Sequence, residues 1–233
     1  MVRRAIILAG GRGRRLLPYT SVLPKPLMPV GEQPILEIVV GQLRKAGFDR
    51  ITMAVGHLAS LIQAYFGAGE KFGVQIDYSI EREPLGTAGP LSLLADLDED
   101  VLVMNGDVLT DLDYDVLMRD HRASGAMATL AVYRKRMDVS LGVLEVGEDR
   151  RVNAYIEKPV HHFEVSTGIY CFRPDVLRHL TPGAPCDLPV LVTRLIETGE
   201  IVRAFRIEGA WLDIGRPEDY ETAQEMWVNG AFS

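Results

Sequence analysis

The sequence predicts an α/β fold, in which strands and helices alternate along the chain and pack in layers. Apolar runs of about four to eight residues alternate with segments whose apolar residues recur at helical spacing. Of the 233 residues, 47% are hydrophobic and 24% are charged, which is typical of a globular chain and excludes collagen, coiled coil and disorder. Because no internal repeat, low-complexity tract or proline- and serine-rich linker interrupts it, we expect one domain over residues 1–233.

The first half of the chain carries the clearest strands and helices. Residues 5–9 are apolar at every position, which predicts a central strand buried on both faces. Residues 34–45 predict a helix, because Pro34 suits its first turn and Gly47 follows its end. The next predicted elements are a strand over 51–55, a helix through 58–65 that Gly67 ends, and strands over 74–79 and 101–104.

The pattern changes at about Ala126, beyond which strands joined by short turns predominate. Such a pattern predicts an antiparallel section beside a binding pocket. The predicted strands are 126–134, 142–146, 152–158 and 165–172, and the predicted helices are 174–180, 188–198 and 217–227.

Charge and hydropathy exclude several classes of partner. The net charge of −7 argues against a general nucleic-acid binder. The longest apolar runs fall well short of the roughly 18–20 residues of a membrane span, and the N-terminus lacks a signal-peptide core. We therefore expect a soluble, cytoplasmic protein with no membrane partner. Cys171 and Cys186 have no second ligand at metal-binding spacing, so both are expected to be reduced packing residues.

A glycine-rich, basic turn follows the first predicted strand. It has the sequence GGRGRR over residues 10–15, and the first fifteen residues hold five arginines and no acid. Glycines let backbone N–H groups approach an anion, and guanidinium groups fork onto its oxygens, so the turn favours a small polyanion. The turn is neither a Walker A loop nor a dinucleotide fingerprint, and a plain solvated turn is the alternative.

Two further segments carry candidate charges. Lys25 stands between Pro24 and Pro26, which stiffen the segment and reduce the entropy lost in aiming its side chain. Asp107 follows the predicted strand over 101–104, at the end of the strand where open α/β sheets bind ligands. A solvated lysine and a capping aspartate are the alternatives.

A series of ordered motifs resembles those of the sugar-1-phosphate nucleotidylyltransferases. They are LAGGxGxRLxPxT at 8–20, PKP at 24–26, ExEPLGTAG at 81–89, NGD at 105–107, EKP at 157–159, TGIY at 167–170 and WxDIGRP at 211–217. The resemblance implies a three-layer, Rossmann-like mixed sheet that is mainly parallel and flanked by helices, with an antiparallel sugar-binding section. Residues 1–125 would bind mainly the nucleotide and residues 126–233 mainly the sugar phosphate. The implied reaction joins a nucleoside triphosphate to a sugar 1-phosphate and releases pyrophosphate.

The resemblance also implies roles for individual residues. Arg15 would grip the triphosphate, Lys25 would neutralise charge at the α-phosphate, and Asp107 would complete the catalytic set. Asp107 and Asp213 would hold Mg²⁺, which prefers hard oxygen ligands and takes one or two carboxylates plus substrate phosphates. The implied nucleotide-binding residues are Leu8, Ala9, Gly10, Gly11, Gly13, Arg14, Arg15, Glu81, Glu83, Pro84, Gly86 and Thr87.

The sugar-phosphate side is implied in the same way. Its residues are Asn105, Gly142, Glu157, Lys158, Thr167 and Gly168. Ser166 and Thr167 depart from the asparagine and small residue that are frequent in the family, which leaves the identity of the sugar open. For Glu157 and Lys158 the alternative is a plain solvated charge pair.

No catalytic histidine is required. A sugar phosphate with a second pKa near ~6 is already anionic at neutral pH, so it needs no general base. The neighbouring histidines His161 and His162 are expected to lie at the surface or in a substrate loop.

The sequence leaves one alternative open for the base of the nucleotide and another for the class of activity. The EPLGTA run at 83–88 most resembles the guanylyltransferase branch of the family, which includes mannose, glucosamine and heptose 1-phosphate enzymes. The resemblance aligns Glu81 with a position where thymidylyl relatives carry a glutamine. An ionised carboxylate there would accept from the two adjacent donors on the Watson–Crick edge of guanine, so GTP is favoured over a uridylyl or thymidylyl substrate. A catalytically silent nucleotide-sugar sensor is the rival from another class. Because longer relatives add a β-helix, the chain is expected to be a short form or a catalytic domain, and a homodimer is possible.

Overall fold

The computed structural model describes residues 3–81, 83–94 and 97–232. The five α-helices in these ranges are α1 (Ile35–Lys45), α2 (Ala59–Phe66), α3 (Tyr114–Ser124), α4 (Leu188–Glu197) and α5 (Pro217–Val228). The strands in the same ranges are β1 (Arg4–Ala9), β2 (Pro29–Val30), β3 (Gln33–Pro34), β4 (Arg50–Val55), β5 (Gln75–Ile80), β6 (Val101–Asn105), β7 (Val108–Thr110), β8 (Ala128–Asp138), β9 (Val143–Val146), β10 (Val152–Ile156), β11 (Val160–Phe172), β12 (Val202–Ile207) and β13 (Trp211–Asp213).

Seven of these strands form a mixed, mainly parallel sheet in the order β12-β8-β11-β6-β1-β4-β5. The pairs β1–β4, β1–β6, β4–β5 and β8–β12 are parallel, whereas β11 runs antiparallel to both β6 and β8. The predicted central strand is confirmed, because β1 lies between β4 and β6 and the side chains of Ala5, Ile6 and Ile7 are fully buried. The carboxyl ends of β6, β1, β4 and β5 therefore meet at one edge of the sheet.

Helices cover both faces of this sheet, which confirms the three-layer arrangement. Successive strand residues point to opposite faces. Ala5 and Ile7 of β1 accordingly belong to one apolar core, which they share with α1, α2, α3 and α5. Ile6 belongs to a second core, which contains the buried leucines of α4. Burial of β1 on both faces explains why its sequence is continuously apolar.

Helix α3 and the strands β2, β3, β7, β12 and β13 were not predicted from the sequence. Helix α3 begins where the Asp113 carboxylate accepts hydrogen bonds from the backbone N–H groups of residues 115 and 116, and it ends at Gly125, which has φ +65°. Strand β12 lies at the edge of the sheet and carries Arg203 and Arg206 among its apolar residues. Charged residues suit an edge strand but break the apolar run from which central strands are predicted.

The structure moves several predicted boundaries in the second half of the chain. Strand β11 begins at Val160 rather than residue 165, and β8 continues to Asp138 rather than residue 134. The two strands pair over this extension, so its mostly exposed residues are held by backbone hydrogen bonds and by the ion pair between Glu164 and Arg206 of β12. The predicted helix over 174–180 is a 3₁₀-helix over Pro174–His179.

Other expectations concern single residues and membrane insertion. Cys171 is buried, Cys186 is half-buried, and both are free thiols, as predicted. Burial raises the pKa of the Cys171 thiol well above its usual range. His161 and His162 are exposed on β11, as expected for surface residues. Of the helices in the described ranges, none has the length and apolarity to cross a membrane.

Candidate active site

A cleft of about 930 Å³ lies at the carboxyl edge of β1, β4, β5 and β6. Every residue predicted to bind nucleotide lines it, and so do Lys25, Asn105 and Asp107. Segments that are far apart in the chain therefore converge where parallel α/β sheets place their ligands.

The glycine turn at the start of the cleft has no room for side chains at two positions. A Cβ on Gly10 would stand 2.5 Å from the Oε1 atom of Glu81. Gly13 has φ +60°, and a Cβ there would stand 2.9 Å from the Cγ2 atom of Thr20. The turn is closed by the backbone N–H of Leu16 and the hydroxyl of Thr20, which both donate to the Gly13 carbonyl at 2.9 Å. The glycines therefore bring the backbone close to the cleft and to the strand that carries Glu81.

Lys25 and two carboxylates form a charge cluster next to the glycine turn, where a Cβ on Gly13 would stand 3.3 Å from the Cβ of Lys25. The Lys25 ammonium forms an ion pair with Oδ2 of Asp107 and lies 3.9 Å from Oδ1 of Asp213. Lys25 is only 8% exposed, and a lysine so buried requires negative partners. Its segment is fixed by a 3₁₀ turn over Lys25–Leu27, in which the Met28 N–H donates to the Lys25 carbonyl at 3.0 Å.

The pairing of β7 with β13 brings Asp213 beside Asp107. In this antiparallel pair Asp213 is opposite Val108, and the Ile214 N–H donates to the Asp107 carbonyl at 3.1 Å. Each of these strands has only three residues, so a short tertiary contact fixes the position of the second acid.

The charge cluster contains a buried carboxylate oxygen without a partner in the described ranges. Burial, and then the negative charge of Asp107, raises the pKa of the Asp213 carboxyl, although Lys25 and Arg15 oppose that shift. The Oδ1 atom of Asp107 is buried and has no hydrogen-bond partner within the described ranges. A free, buried carboxylate oxygen beside a second carboxylate can hold a divalent cation with hard-ligand preference. The described residues contain no group of three or more His, Cys, Asp or Glu at metal-binding distance, so ligands from a substrate would have to complete the shell.

Arg15 lies at the edge of this cluster, against Gly215. A Cβ on Gly215 would stand 3.2 Å from both terminal nitrogens of the Arg15 guanidinium. Arg15 is exposed to the cleft and lowers the pKa of Asp213, so the guanidinium acts on the same region as Lys25. Gly215 belongs to the WxDIGRP motif, and its missing side chain leaves room for the Arg15 guanidinium.

Glu81 follows β5, and its carboxylate lies against Gly10 of the glycine turn. Its Oε2 atom accepts a hydrogen bond of 3.0 Å from the Leu85 N–H, and burial raises the pKa of its carboxyl. The following loop is held by Asp187, whose Oδ1 atom accepts from the Thr87 N–H at 3.1 Å. Gly86 has φ +74°, and a Cβ there would stand 2.6 Å from the same Asp187 oxygen. These contacts fix the loop that carries Glu83, Pro84, Gly86 and Thr87 along the cleft wall.

Three of the predicted sugar-phosphate residues lie together beside the cleft. Asn105 lines the cleft, and a Cβ on Gly168 would stand 2.6 Å from its Nδ2 atom. Thr167 is buried, and its hydroxyl donates to the Ala131 carbonyl at 2.7 Å. Its own carbonyl accepts from the Trp211 indole N–H at 3.0 Å. Thr167 therefore ties β11 to β8 and β13, and its hydroxyl is engaged by the backbone.

Thr167 and Gly168 are not among the residues that line the cleft, and neither are the other three, Gly142, Glu157 and Lys158. Gly142 packs against the Tyr155 hydroxyl, which in turn donates to Oε2 of Glu157 at 3.0 Å. Lys158 follows directly and has φ +47°. All three are exposed on or beside the β9–β10 pair. The structure therefore groups them with each other and leaves them outside the wall formed by the nucleotide-binding residues.

Sequence reasoning missed part of the cleft wall. The additional lining residues are Arg12, Pro26, Gly56, His57, Pro90, Gly106 and Gly215. His57 follows β4, and its N–H donates to the Gly10 carbonyl at 3.4 Å. Its position after a buried strand is the same signal that singled out Asp107, and that signal could have found it.

Comparisons with known proteins agree with the fold. The family model described as nucleotidyl transferase matches residues 4–229. The UTP–glucose-1-phosphate uridylyltransferase of Synechocystis sp. is 35% identical over 237 residues, which cover 93% of this chain and 61% of that protein. The mannose-1-phosphate guanylyltransferase catalytic subunit beta of Danio rerio is 34% identical over 233 residues, which cover 97% and 64%. The chain thus spans less than two thirds of the length of these relatives. The crystal structure of HddC from Yersinia pseudotuberculosis superposes with a TM-score of 0.74 at 25% identity, covering 97% of this chain and 100% of that one.

Proposed function

The chain belongs to the nucleotidyl transferase family, and from that membership and the geometry of the cleft we propose that it joins a nucleoside triphosphate to a sugar 1-phosphate. An oxygen of the sugar phosphate attacks the α-phosphorus and forms the new P–O bond. The bond between the α-phosphorus and the oxygen that bridges it to the β-phosphate breaks, and its electron pair leaves with pyrophosphate. The products are a nucleoside diphosphate sugar and pyrophosphate.

The convergence of Lys25, Asp107, Asp213 and Arg15 is the observation that carries this proposal. Two polyanions must meet in line, so positioning and charge neutralisation dominate the barrier. The attacking phosphate is already anionic at neutral pH, since its second pKa is near ~6. The cluster contains cations and metal-binding carboxylates and needs no general base, which is the set of groups that this reaction requires.

Strand order gives the nucleotide a direction in the cleft. Asp107 follows β6, the glycine turn follows β1, His57 follows β4 and Glu81 follows β5. Neighbouring strands are about 4.8 Å apart, so the backbone of Glu81 lies roughly three strand spacings from that of Asp107, and the Glu81 side chain extends back to Gly10. We place the phosphates at the β6–β1 end, beside Lys25 and Arg15. The base then lies at the β4–β5 end, beside His57 and Glu81.

Mg²⁺ is the cofactor that fits this set of ligands. Asp107 and Asp213 would hold it, and substrate phosphate oxygens and water would supply its other ligands. The buried, unpartnered Oδ1 atom of Asp107 supports this assignment. When bound, the ion neutralises charge on the phosphates and helps to align them. Lys25 holds the second oxygen of Asp107 and keeps its own positive charge directed at the α-phosphate.

Glu81, which follows β5, favours guanine as the base of the nucleotide. A carboxylate accepts from both adjacent donors on the Watson–Crick edge of guanine, whereas uracil and thymine present one donor between two acceptors. Glu81 lies at the proposed base end, with one oxygen held by the Leu85 N–H and the other beside Gly10. The named relatives include a guanylyltransferase and a uridylyltransferase, so the choice of GTP rests on Glu81.

Replacing Glu81 with glutamine tests this choice of base. The variant keeps the size of the side chain but replaces one acceptor oxygen with an NH₂ donor. We expect the ratio of kcat/KM for GTP over UTP to fall by about tenfold, the usual cost of one mismatched hydrogen bond at a binding site. Glu83→Gln is the matched control. If only the control alters the ratio, Glu83 reads the base and the assignment to Glu81 is wrong.

The sugar phosphate is proposed to bind on the β6–β11 side of the cleft. Asn105 faces this side and Gly168 lies against it. We propose that Glu157 accepts hydrogen bonds from sugar hydroxyls and that Lys158 contacts the sugar phosphate, which requires the exposed β9–β10 segment to approach the bound sugar. The identity of the sugar is left to experiment.

A substrate screen tests the proposed function. Four nucleoside triphosphates are combined with hexose, hexosamine and heptose 1-phosphates in the presence of Mg²⁺, and pyrophosphate release is measured. We expect turnover with at least one pair and the highest kcat/KM with GTP. Nucleotide binding without pyrophosphate release from any pair would instead identify a silent nucleotide-sugar sensor.

A further inference from the structure

Helix α5 contacts the hairpin that directly follows Lys25. The hairpin consists of β2 and β3 and turns at Gly31. The Gln224 side chain makes two hydrogen bonds to it: its Nε2 donates to the Pro29 carbonyl at 2.8 Å, and its Oε1 accepts from the Gly31 N–H at 2.9 Å. The Tyr220 hydroxyl donates to the same Pro29 carbonyl. One residue on α5 therefore satisfies both a backbone acceptor and a backbone donor of the hairpin.

The turn of the hairpin also packs directly on α5. Gly31 has φ +59°, and the indole of Trp227 occupies the space where a side chain on Gly31 would project. Trp227 is half-buried and packs against the main apolar core. The indole thus joins the hairpin turn to the interior of the protein, while Gln224 fixes its backbone.

The hairpin is connected to Lys25 by a stiff stretch of chain. Pro29 is four residues beyond Lys25, and Pro24 and Pro26 restrict the backbone on either side of the lysine. The hydrogen bond from the Met28 N–H to the Lys25 carbonyl closes the turn between them. Only three residues therefore separate Lys25 from the hairpin, and their turn is closed by a hydrogen bond.

The first turn of α5 contacts the segment that directly follows Asp213. The Asp219 carboxylate accepts from the Gly215 N–H at 3.1 Å and from the Arg216 N–H at 2.8 Å. Gly215 lies against the Arg15 guanidinium, and the preceding residue, Ile214, donates to the Asp107 carbonyl. One helix thus contacts the segment that carries Asp213 at its first turn and the segment that follows Lys25 at its later turns.

We propose that α5 is a positioning element, in which Gln224 and Tyr220 hold the β2–β3 hairpin and thereby keep the Lys25 ammonium aligned with Asp107 and Asp213. This inference rests on the role of Lys25 in the proposed function. Neither Gln224 nor Tyr220 lines the cleft, so they act through Lys25 and not on the substrate.

The test is a double-mutant cycle between Gln224→Ala and Lys25→Met. A small misplacement of a charged group is costly in an aligned site, so we expect Gln224→Ala alone to lower kcat by about three- to tenfold with KM for the sugar phosphate little changed. In the Lys25→Met background the same change should alter kcat by less than about twofold, because the group that it positions is gone. Equal effects in both backgrounds would overturn the proposal.

Two further measurements separate positioning from general loss of stability. Glu221→Ala is the matched control, because Glu221 is exposed on the same helix, and its kcat should equal that of the wild type. Amide hydrogen exchange over residues 24–34 should be faster in Gln224→Ala and in Tyr220→Phe but unchanged in Glu221→Ala. Unchanged exchange in both variants would contradict the proposal even if the chain proved to have no transferase activity. Absence of turnover in the wild type, in contrast, would refute the proposed function and not the contact between α5 and the hairpin.

Discussion

Asp107→Asn is expected to lower kcat by about 10²–10³-fold, the usual effect of removing one preorganised charge from a transition state that carries several negative charges. Asparagine has nearly the same size, so the cleft keeps its shape. The change removes the ion pair with Lys25 and replaces the unpartnered, buried carboxylate oxygen with part of a neutral amide. Turnover and Mg²⁺ dependence are read from steady-state pyrophosphate release over a range of Mg²⁺ concentrations.

The folding stability of this variant is expected to change much less than its activity. Lys25 loses its nearest partner, but Asp213 remains 3.9 Å away and retains its negative charge. We expect a loss of about 1–3 kcal/mol in the free energy of unfolding, measured by denaturant titration. Asp138→Asn is the matched control, since Asp138 pairs with Arg136 at an exposed position on β8. A kcat for Asp107→Asn close to that of the control would remove Asp107 from the proposed metal and catalytic set.

Lys25→Met has the second largest expected effect. Methionine nearly matches the lysine side chain in volume but carries no charge, so the change isolates the contribution of the ammonium. We expect kcat to fall by about 10²-fold or more and KM for the sugar phosphate to change by less than about threefold, because the charge is required mainly as the α-phosphate is attacked. Both constants come from pyrophosphate release with the sugar phosphate varied.

A different pattern in the Lys25→Met kinetics would assign Lys25 another role. A large rise in KM with an unchanged kcat would mean that the ammonium binds ground state and transition state equally well. Lys135→Met is the matched control, because Lys135 is exposed on β8 and outside the cleft. Its kinetics should be those of the wild type.

Elements with strong local signals could be predicted from the sequence. The continuous apolar run of β1 and the proline and glycine that bound α1 depend on neighbouring residues alone, so local reasoning suffices for them. Helix α3 also has local signals from which it could have been predicted: buried residues at Tyr114, Leu117 and Met118, and a capping aspartate. Strand β12 could not be found in the same way, because an edge strand is specified by its neighbour in the sheet and not by its own apolar pattern.

The lining of the cleft was predicted more completely than the sugar side. Residues at the ends of β1, β5 and β6 must lie at one edge of a parallel sheet, so the turn, Glu81 and Asp107 come together as a consequence of topology. The approach of Asp213 depends on two three-residue strands and was expected only from the family resemblance. Glu157 and Lys158 belong to the β9–β10 segment, whose position relative to a bound sugar has no local signal in the sequence.

Isotope tracing with the wild-type chain tests the central claim most directly. GTP labelled at either the α- or the γ-phosphate is incubated with Mg²⁺ and the sugar 1-phosphate that is most active in the screen. Attack at the α-phosphorus predicts that the α-label enters the nucleotide sugar and that the γ-label is released as pyrophosphate. Two results would contradict the claim that Lys25, Asp107, Asp213 and Arg15 promote attack at the α-phosphorus. One is release of the γ-label as inorganic phosphate, and the other is no transfer of either label while GTP remains bound.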